Sequence, residues 1–103
     1  MTEIDKIVTK IKGREYELSK HAVDQSIIID IGASEIEQAI LGNSLIIEDY
    51  QNDKYGPSCL ILGYTKNERP LHIQCSYSSR PLVKIITLYQ PSPELWIDNR
   101  ARK

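Results

Sequence analysis

The apolar positions recur at helical spacing in the first forty residues and at strand spacing from Leu45 onward. Ile4, Ile7, Val8 and Ile11 fall at i, i+3, i+4 and i+7 with charges between them, which predicts an amphipathic helix ended by Gly13. Tyr16-Glu17-Leu18 then reads as a short extended piece. Ser19 is a good N-cap for a second helix to about Asp30, with Ala22, Val23 and Ile27 as its buried stripe and Gly32 as its left-handed stop. Ser34 and Glu37 have the spacing of a capping box for a third helix that buries Ile36, Ala39 and Ile40 and closes at Gly42-Asn43.

Four Ile-rich strands follow at about 45–50, 58–65, 70–77 and 82–89, separated by Gly, Pro, Asn and Ser. Their connectors are too short for crossover helices, so consecutive strands are expected to pair antiparallel. Ser92-Pro93-Glu94 is a helix-start pattern that predicts a short C-terminal helix carrying Leu95 and Trp96, with a frayed tail from Arg100. The expected fold class is α+β: N-terminal helices packed on a four-stranded antiparallel meander, one domain spanning 1–103. In the last strand Val83, Ile85, Thr87 and Tyr89 share one face and Leu82, Lys84, Ile86 and Leu88 the other. Both sets are largely apolar, so periodicity leaves the buried face open.

Composition removes several function classes. With 41% hydrophobic residues, 26% charged and a net charge of −1, the chain is too apolar for intrinsic disorder. The longest apolar runs, Ile27-Ile28-Ile29 and Leu60-Ile61-Leu62, are far short of a membrane span. Met1 to Lys6 is polar and unlike a secretory signal, so a soluble, cytoplasmic protein is expected, with Cys59 and Cys75 as buried thiols. The near-zero charge hides an asymmetry: residues 1–53 hold five bases and eleven acids, a sum of −6, and residues 54–103 hold eight bases and three acids, a sum of +5. An anionic partner is expected on the basic half.

The chain has only two histidines. His21 falls in the first turn of the second predicted helix, where the positive helix end disfavours an imidazolium and leaves a ring able to accept a proton. His72 alternates with Leu71 and Ile73, and the row His72, Gln74, Ser76 reads either as a binding surface or as an ordinary solvated sheet face. The two histidines and two cysteines lack metal-ligand spacing, and the five dispersed glycines form no phosphate loop, so no metal or cofactor is expected. Metal-independent RNA cleavage needs a base, an acid and cations for the phosphorane, which His21 and His72 with Lys20, Arg69, Arg80 and Lys84 could supply. Tyr55 and Tyr77 are candidates to stack unpaired bases.

The segments Leu18-Ser19-Lys20-His21-Ala22, Glu35 to Ile40, Tyr55 to Leu60, Arg69-Pro70-Leu71-His72-Ile73 and Ile85 to Pro91 together resemble the DUF4258 family over about residues 16–96. That family in turn resembles the RelE and ParE toxin-like group, whose helix-helix-meander order agrees with the pattern above. The resemblance implies a site of His21, His72 and Thr87, with Lys20 or Arg69 holding phosphate. Arg80, Lys84 and Tyr89 are further candidates for substrate contact. The function so implied is a small endoribonuclease, in the manner of a toxin with a protein antitoxin, cleaving single-stranded RNA by 2′-hydroxyl attack. The other reading is a non-catalytic protein- or nucleic-acid-binding module on the same scaffold. Near-neutral charge argues against a broad ribosome-binding surface.

Overall fold

The computed structural model describes residues 1–54 and 56–103. Helix α1 (Glu3–Lys12) starts where Thr2 and Asp5 close a capping box, and it buries Ile7 and Ile11 as their spacing predicts. β1 (Tyr16–Leu18) leads to α2 (Lys20–Ile28), capped by the Ser19 hydroxyl, which accepts from the Ala22 amide at 3.0 Å. Helix α3 (Ala33–Leu41) follows, and then β2 (Leu45–Tyr50), β3 (Ser58–Tyr64), β4 (Pro70–Ser76) and β5 (Val83–Tyr89).

Two helix ends differ from expectation. Gly32 is not a left-handed stop, since its φ is −94° and it serves as the N-cap of α3. The left-handed residue is Asp30, at φ 56°, and the Ile31 amide reaches back to the Ser26 carbonyl at 2.8 Å, so the chain turns two residues earlier than the glycine suggests. The cap of α3 therefore moves to Gly32, whose amide donates to Glu35 at 3.1 Å, and Ser34 with Glu37 forms no box. Glu37 instead accepts from the Tyr16 hydroxyl. The expected stripe of α2 is also corrected. Only Ala22 is buried, while Val23 and Ile27 are exposed, because this short helix meets the sheet on its alanine side.

The strands form one five-stranded sheet in the order β1-β5-β4-β3-β2. The four expected strands do make an antiparallel meander. The sheet is mixed, however, because Tyr16–Leu18 pairs parallel to β5. That short piece occupies the amide and carbonyl edge that β5 would otherwise leave open, with flanking bonds from Ser19 N to Ile85 O and from Val83 N to Glu15 O. The three helices cover one sheet face, where Ile61, Leu71, Ile73, Val83, Ile85 and Leu88 meet Ile7, Ile11, Ile36 and Ile40. Helix α3 passes close over β3: a Cβ on Gly63 would stand 2.2 Å from the Ala39 carbonyl oxygen.

A bulge resolves the two apolar faces of β5. Gln74 pairs with Thr87 but Cys75 pairs with Ile85, so Ile86 is the extra residue and the strand changes phase there. Val83, Ile85 and Leu88 all reach the helical side, while Lys84, Thr87 and Tyr89 share the outer face.

The C-terminal helix is replaced by a hairpin. Ser92-Pro93-Glu94 does start a turn, with the Leu95 and Trp96 amides donating to the Ser92 carbonyl. Asp98 and Asn99 then reverse the chain at φ 51° and 62°, so that β6 (Trp96–Ile97) pairs with β7 (Ala101–Arg102). The tail is tied down, not frayed: Arg102 binds Glu48 through two nitrogens, and the Lys103 amide donates to the Leu95 carbonyl. Among the described residues no helix is long and apolar enough to cross a membrane.

Candidate functional site

The outer sheet face, opposite the helices, is divided into a covered end and an open end. At the covered end His72 is completely buried. Its Nε2 lies 2.6 Å from the Asn99 carbonyl, which can only accept, so Nε2 carries the proton and Nδ1 accepts from the Tyr89 hydroxyl at 3.1 Å. The Trp96 indole packs edge-on against the imidazole at 4.4 Å between ring centroids. Burial pushes the His72 ring below its ordinary value, although the Asn99 carbonyl and the Glu48 carboxylate favour its protonation. The ring is a neutral anchor for the hairpin, and the His72 end of the predicted polar row is not a solvated binding surface.

At the open end lies a cleft of about 610 Å³ bounded by the β2–β3 loop, the β4–β5 loop and the Ser19 junction. Arg80 and Lys84 supply its cations and Ser19, Ser76 and Ser79 its serines, whereas the Tyr77 ring packs against the core on the helical side. Fold and sequence explain this grouping. Lys84 alternates with the core residues Val83 and Ile85 and so points outward, and Ser76 follows Cys75 on the adjacent strand in the same sense. The Lys84 amide donates to Ser76 Oγ at 2.9 Å, which fixes the β4–β5 corner. The Ser19 hydroxyl donates to the Ile86 carbonyl at 2.7 Å and ties the start of α2 to the bulge. Asp53 also lines the cleft and accepts from Ser58 at 3.1 Å, which in turn accepts from Gln74 at 3.2 Å. The Tyr77 phenol donates to Asp49 and is pushed up to about 12 by that bond, so it stays protonated and cannot serve as a base near neutrality.

The structure brings only part of the predicted set together. Arg80 and Lys84 are in the cleft, and Thr87 lies further along the same face of β5, opposite Gln74. Lys20 and His21 are exposed in the first turn of α2, next to Ser19, and Lys20 pairs with Asp24 at 3.5 Å. His21 and His72 are not neighbours: α2 packs through Ala22 on the helical side of the sheet, whereas His72 is buried on the other. Tyr89 is bonded to His72 beneath the hairpin, about 13 Å from the cleft, the length of the four residue steps of β4 from His72 to Ser76.

Arg69 is not a free phosphate holder. Its guanidinium donates to the Ile29 and Asp30 carbonyls at 2.7 and 3.2 Å and to Gln90, closing the far end of α2 from the cleft. Tyr55 lies outside the described residues. Cys59 and Cys75 are unbridged, buried and directly opposed on β3 and β4; their mutual hydrogen bond and then burial raise the Cys75 thiol. Among the described residues no group of three or more His, Cys, Asp or Glu side chains could hold a metal ion.

Sequence reasoning missed Ser19, Ser76 and Asp53 as cleft residues. A cap serine and a strand-end serine carry no functional pattern, and only the bulge at Ile86 sets them beside Lys84. A family model described as "Domain of unknown function (DUF4258)" matches residues 18–90. No curated protein and no solved structure matches the chain.

Proposed function

The chain belongs to the DUF4258 family, and on that premise we propose that it binds single-stranded RNA through the cleft at the open end of its sheet. One observation carries this reading: Arg80 and Lys84 converge on a cleft of about 610 Å³ that serine side chains also line. Two cations side by side suit the oxygens of a phosphate. Binding of a labelled single-stranded RNA, followed by fluorescence anisotropy, is expected to weaken about fivefold in Lys84→Ala and again in Arg80→Ala, the scale of one solvated ion contact each. Equal affinity in wild type and the double variant overturns the reading.

The second reading adds cleavage, and the exposure of His21 two residues after the cleft residue Ser19 favours it. His21 would take the 2′-hydroxyl proton as the 2′-oxygen bonds to phosphorus and the P–O5′ bond breaks, the departing 5′-oxygen taking a proton from water, while Lys84 would face the charge that grows on phosphate and Thr87 would orient the backbone. This is the chemistry expected of a relative of the RelE and ParE toxin-like group, with a protein antitoxin as partner. His72 has no part in it while the hairpin covers it. A cyclic phosphate product that disappears in His21→Ala and persists in His72→Gln supports cleavage. Intact RNA after prolonged incubation leaves the binding module.

A further inference from the structure

Helix α2 is inverted with respect to the other helices. It rests on β5 and β1 and buries only Ala22, while its branched apolar side chains are left to solvent. Val23, Ile27 and Ile28 are 42%, 72% and 73% exposed. Val23 and Ile27 stand one turn apart and Ile28 lies beside Ile27, so the three make one apolar face and are not scattered single residues. Helices α1 and α3, which have only this chain to pack on, turn their isoleucines inward.

The charges of α2 are likewise set against its own ends. Lys20 opens the helix, where the positive end disfavours a cation, and the first turn holds no acid. Its side chain is 93% exposed and reaches Asp24 at 3.5 Å. Asp30 follows the other end, where an anion is disfavoured. The Arg69 guanidinium binds the main-chain carbonyls of Ile29 and Asp30, and no ion pair among the described residues takes the Asp30 carboxylate.

We propose that this face binds a second copy of the chain, α2 against α2 in antiparallel sense, to form a two-fold symmetric dimer. With Val23 of one copy set against Ile27 of the other, the symmetry returns the same contact reversed. That setting is centred at the level of Gln25, and it brings Lys20 opposite the partner's Asp30 at both ends of the helix pair. Charge selects this occupant. A parallel pair would set Lys20 against its own copy and Asp30 against its own copy, and an uncharged apolar partner would leave both without a counter-ion. Three apolar side chains per copy are well short of the roughly 800 Å² per partner of a standard interface, so the dimer is weak and forms as concentration rises. The dimer does not depend on what the cleft binds.

Sedimentation equilibrium of the full chain from about 10 µM to about 1 mM covers the affinities of such an interface. The average mass is expected to rise from one chain towards two and no further. Ile27→Gln, a polar change at an exposed position that keeps helix propensity, should weaken association about tenfold or more. Lys20→Glu and Asp30→Lys, each alone, should weaken it about fivefold or more, because like charges then meet at both ends. An equimolar mixture of these two variants should recover the wild-type affinity within about threefold, since the mixed dimer sets opposite charges at both ends. Far-UV circular dichroism read alongside separates loss of the interface from loss of the fold. A single-chain mass at about 1 mM overturns the inference, as does a dimer that neither Ile27→Gln nor Lys20→Glu weakens. A dimer whose charge variants do not recover on mixing overturns the antiparallel arrangement and the inference with it. A monomer that binds phosphatidylcholine vesicles through Ile27 assigns the face to a lipid surface and overturns it too.

Discussion

His72 shows how a residue can carry the expected chemistry and be placed for something else. Its ring has both nitrogens engaged and no exposed surface, so its protonation is coupled to folding. Burial holds the folded-state value below the ordinary 6.5, and the unfolded chain therefore takes up its proton first as pH falls. The contribution of the neutral ring is complete above about pH 6.5 and is lost progressively as pH drops from there through the folded-state value. Denaturant midpoints measured at pH 7.5 and 5.5 are expected to fall in wild type. In His72→Gln, which keeps a donor near Nε2 and cannot be protonated, this fall should be smaller; an identical fall would show that His72 does not titrate with unfolding. Arg69 provides a matching case. Arg69→Ala is expected to lose about 1–2 kcal/mol from the bonds to the Ile29 and Asp30 carbonyls, with RNA affinity unchanged. A loss of affinity at constant stability would restore the phosphate role. Side-chain type and spacing suggested both residues as functional, but their partners, Asn99 and the end of α2, come from distant segments that spacing does not encode.

At the level of elements, patterns with a local cause were legible in the sequence. The i, i+3, i+4, i+7 set of α1 and the Ile-rich runs of β2 to β5 led to the observed elements within a residue or two, because burial of one face dictates the period. Three features had no such cause. The parallel pairing of β1 depends on an edge more than sixty residues away. The phase change in β5 depends on one unpaired residue, Ile86, that looks like any other isoleucine. The hairpin follows from two left-handed residues, Asp98 and Asn99, which outweigh a helix-start signal only because Trp96 has His72 to pack against. Gly63 is a further case, where the need for glycine comes from a neighbouring helix and not from backbone conformation. Gly63→Ala would set a Cβ 2.2 Å from a backbone oxygen of α3, with no flexible side chain to give way. The expected loss is at the upper end of overpacking, about 3 kcal/mol or more, read as a lowered thermal midpoint. An unchanged midpoint would mean that α3 can move off β3 at little cost.

Across the whole molecule, the charge asymmetry along the chain does not survive as an asymmetry in space. β1, from the acidic half, lies beside β5, so Glu17 is in register with Lys84, and Asp53 lines the same cleft as Arg80. Among the bases of the second half, Arg69 is bound to helix carbonyls and Arg102 to Glu48. The positive potential at the cleft is therefore local, formed by Arg80 and Lys84. On the proposed reading, this arrangement sets the salt dependence of RNA binding. Each phosphate neutralised on a single strand contributes about −0.7 to the slope of log K against log salt, so two contacts give about −1.4. Anisotropy titrations between low and physiological salt measure this slope directly, and removal of Lys84 should make it shallower by one contact's share. A slope of about −4 or steeper in the wild-type chain would require a broad basic surface in place of a cleft. It would also reinstate the extended electrostatic docking that the interleaving of acidic and basic strands argues against.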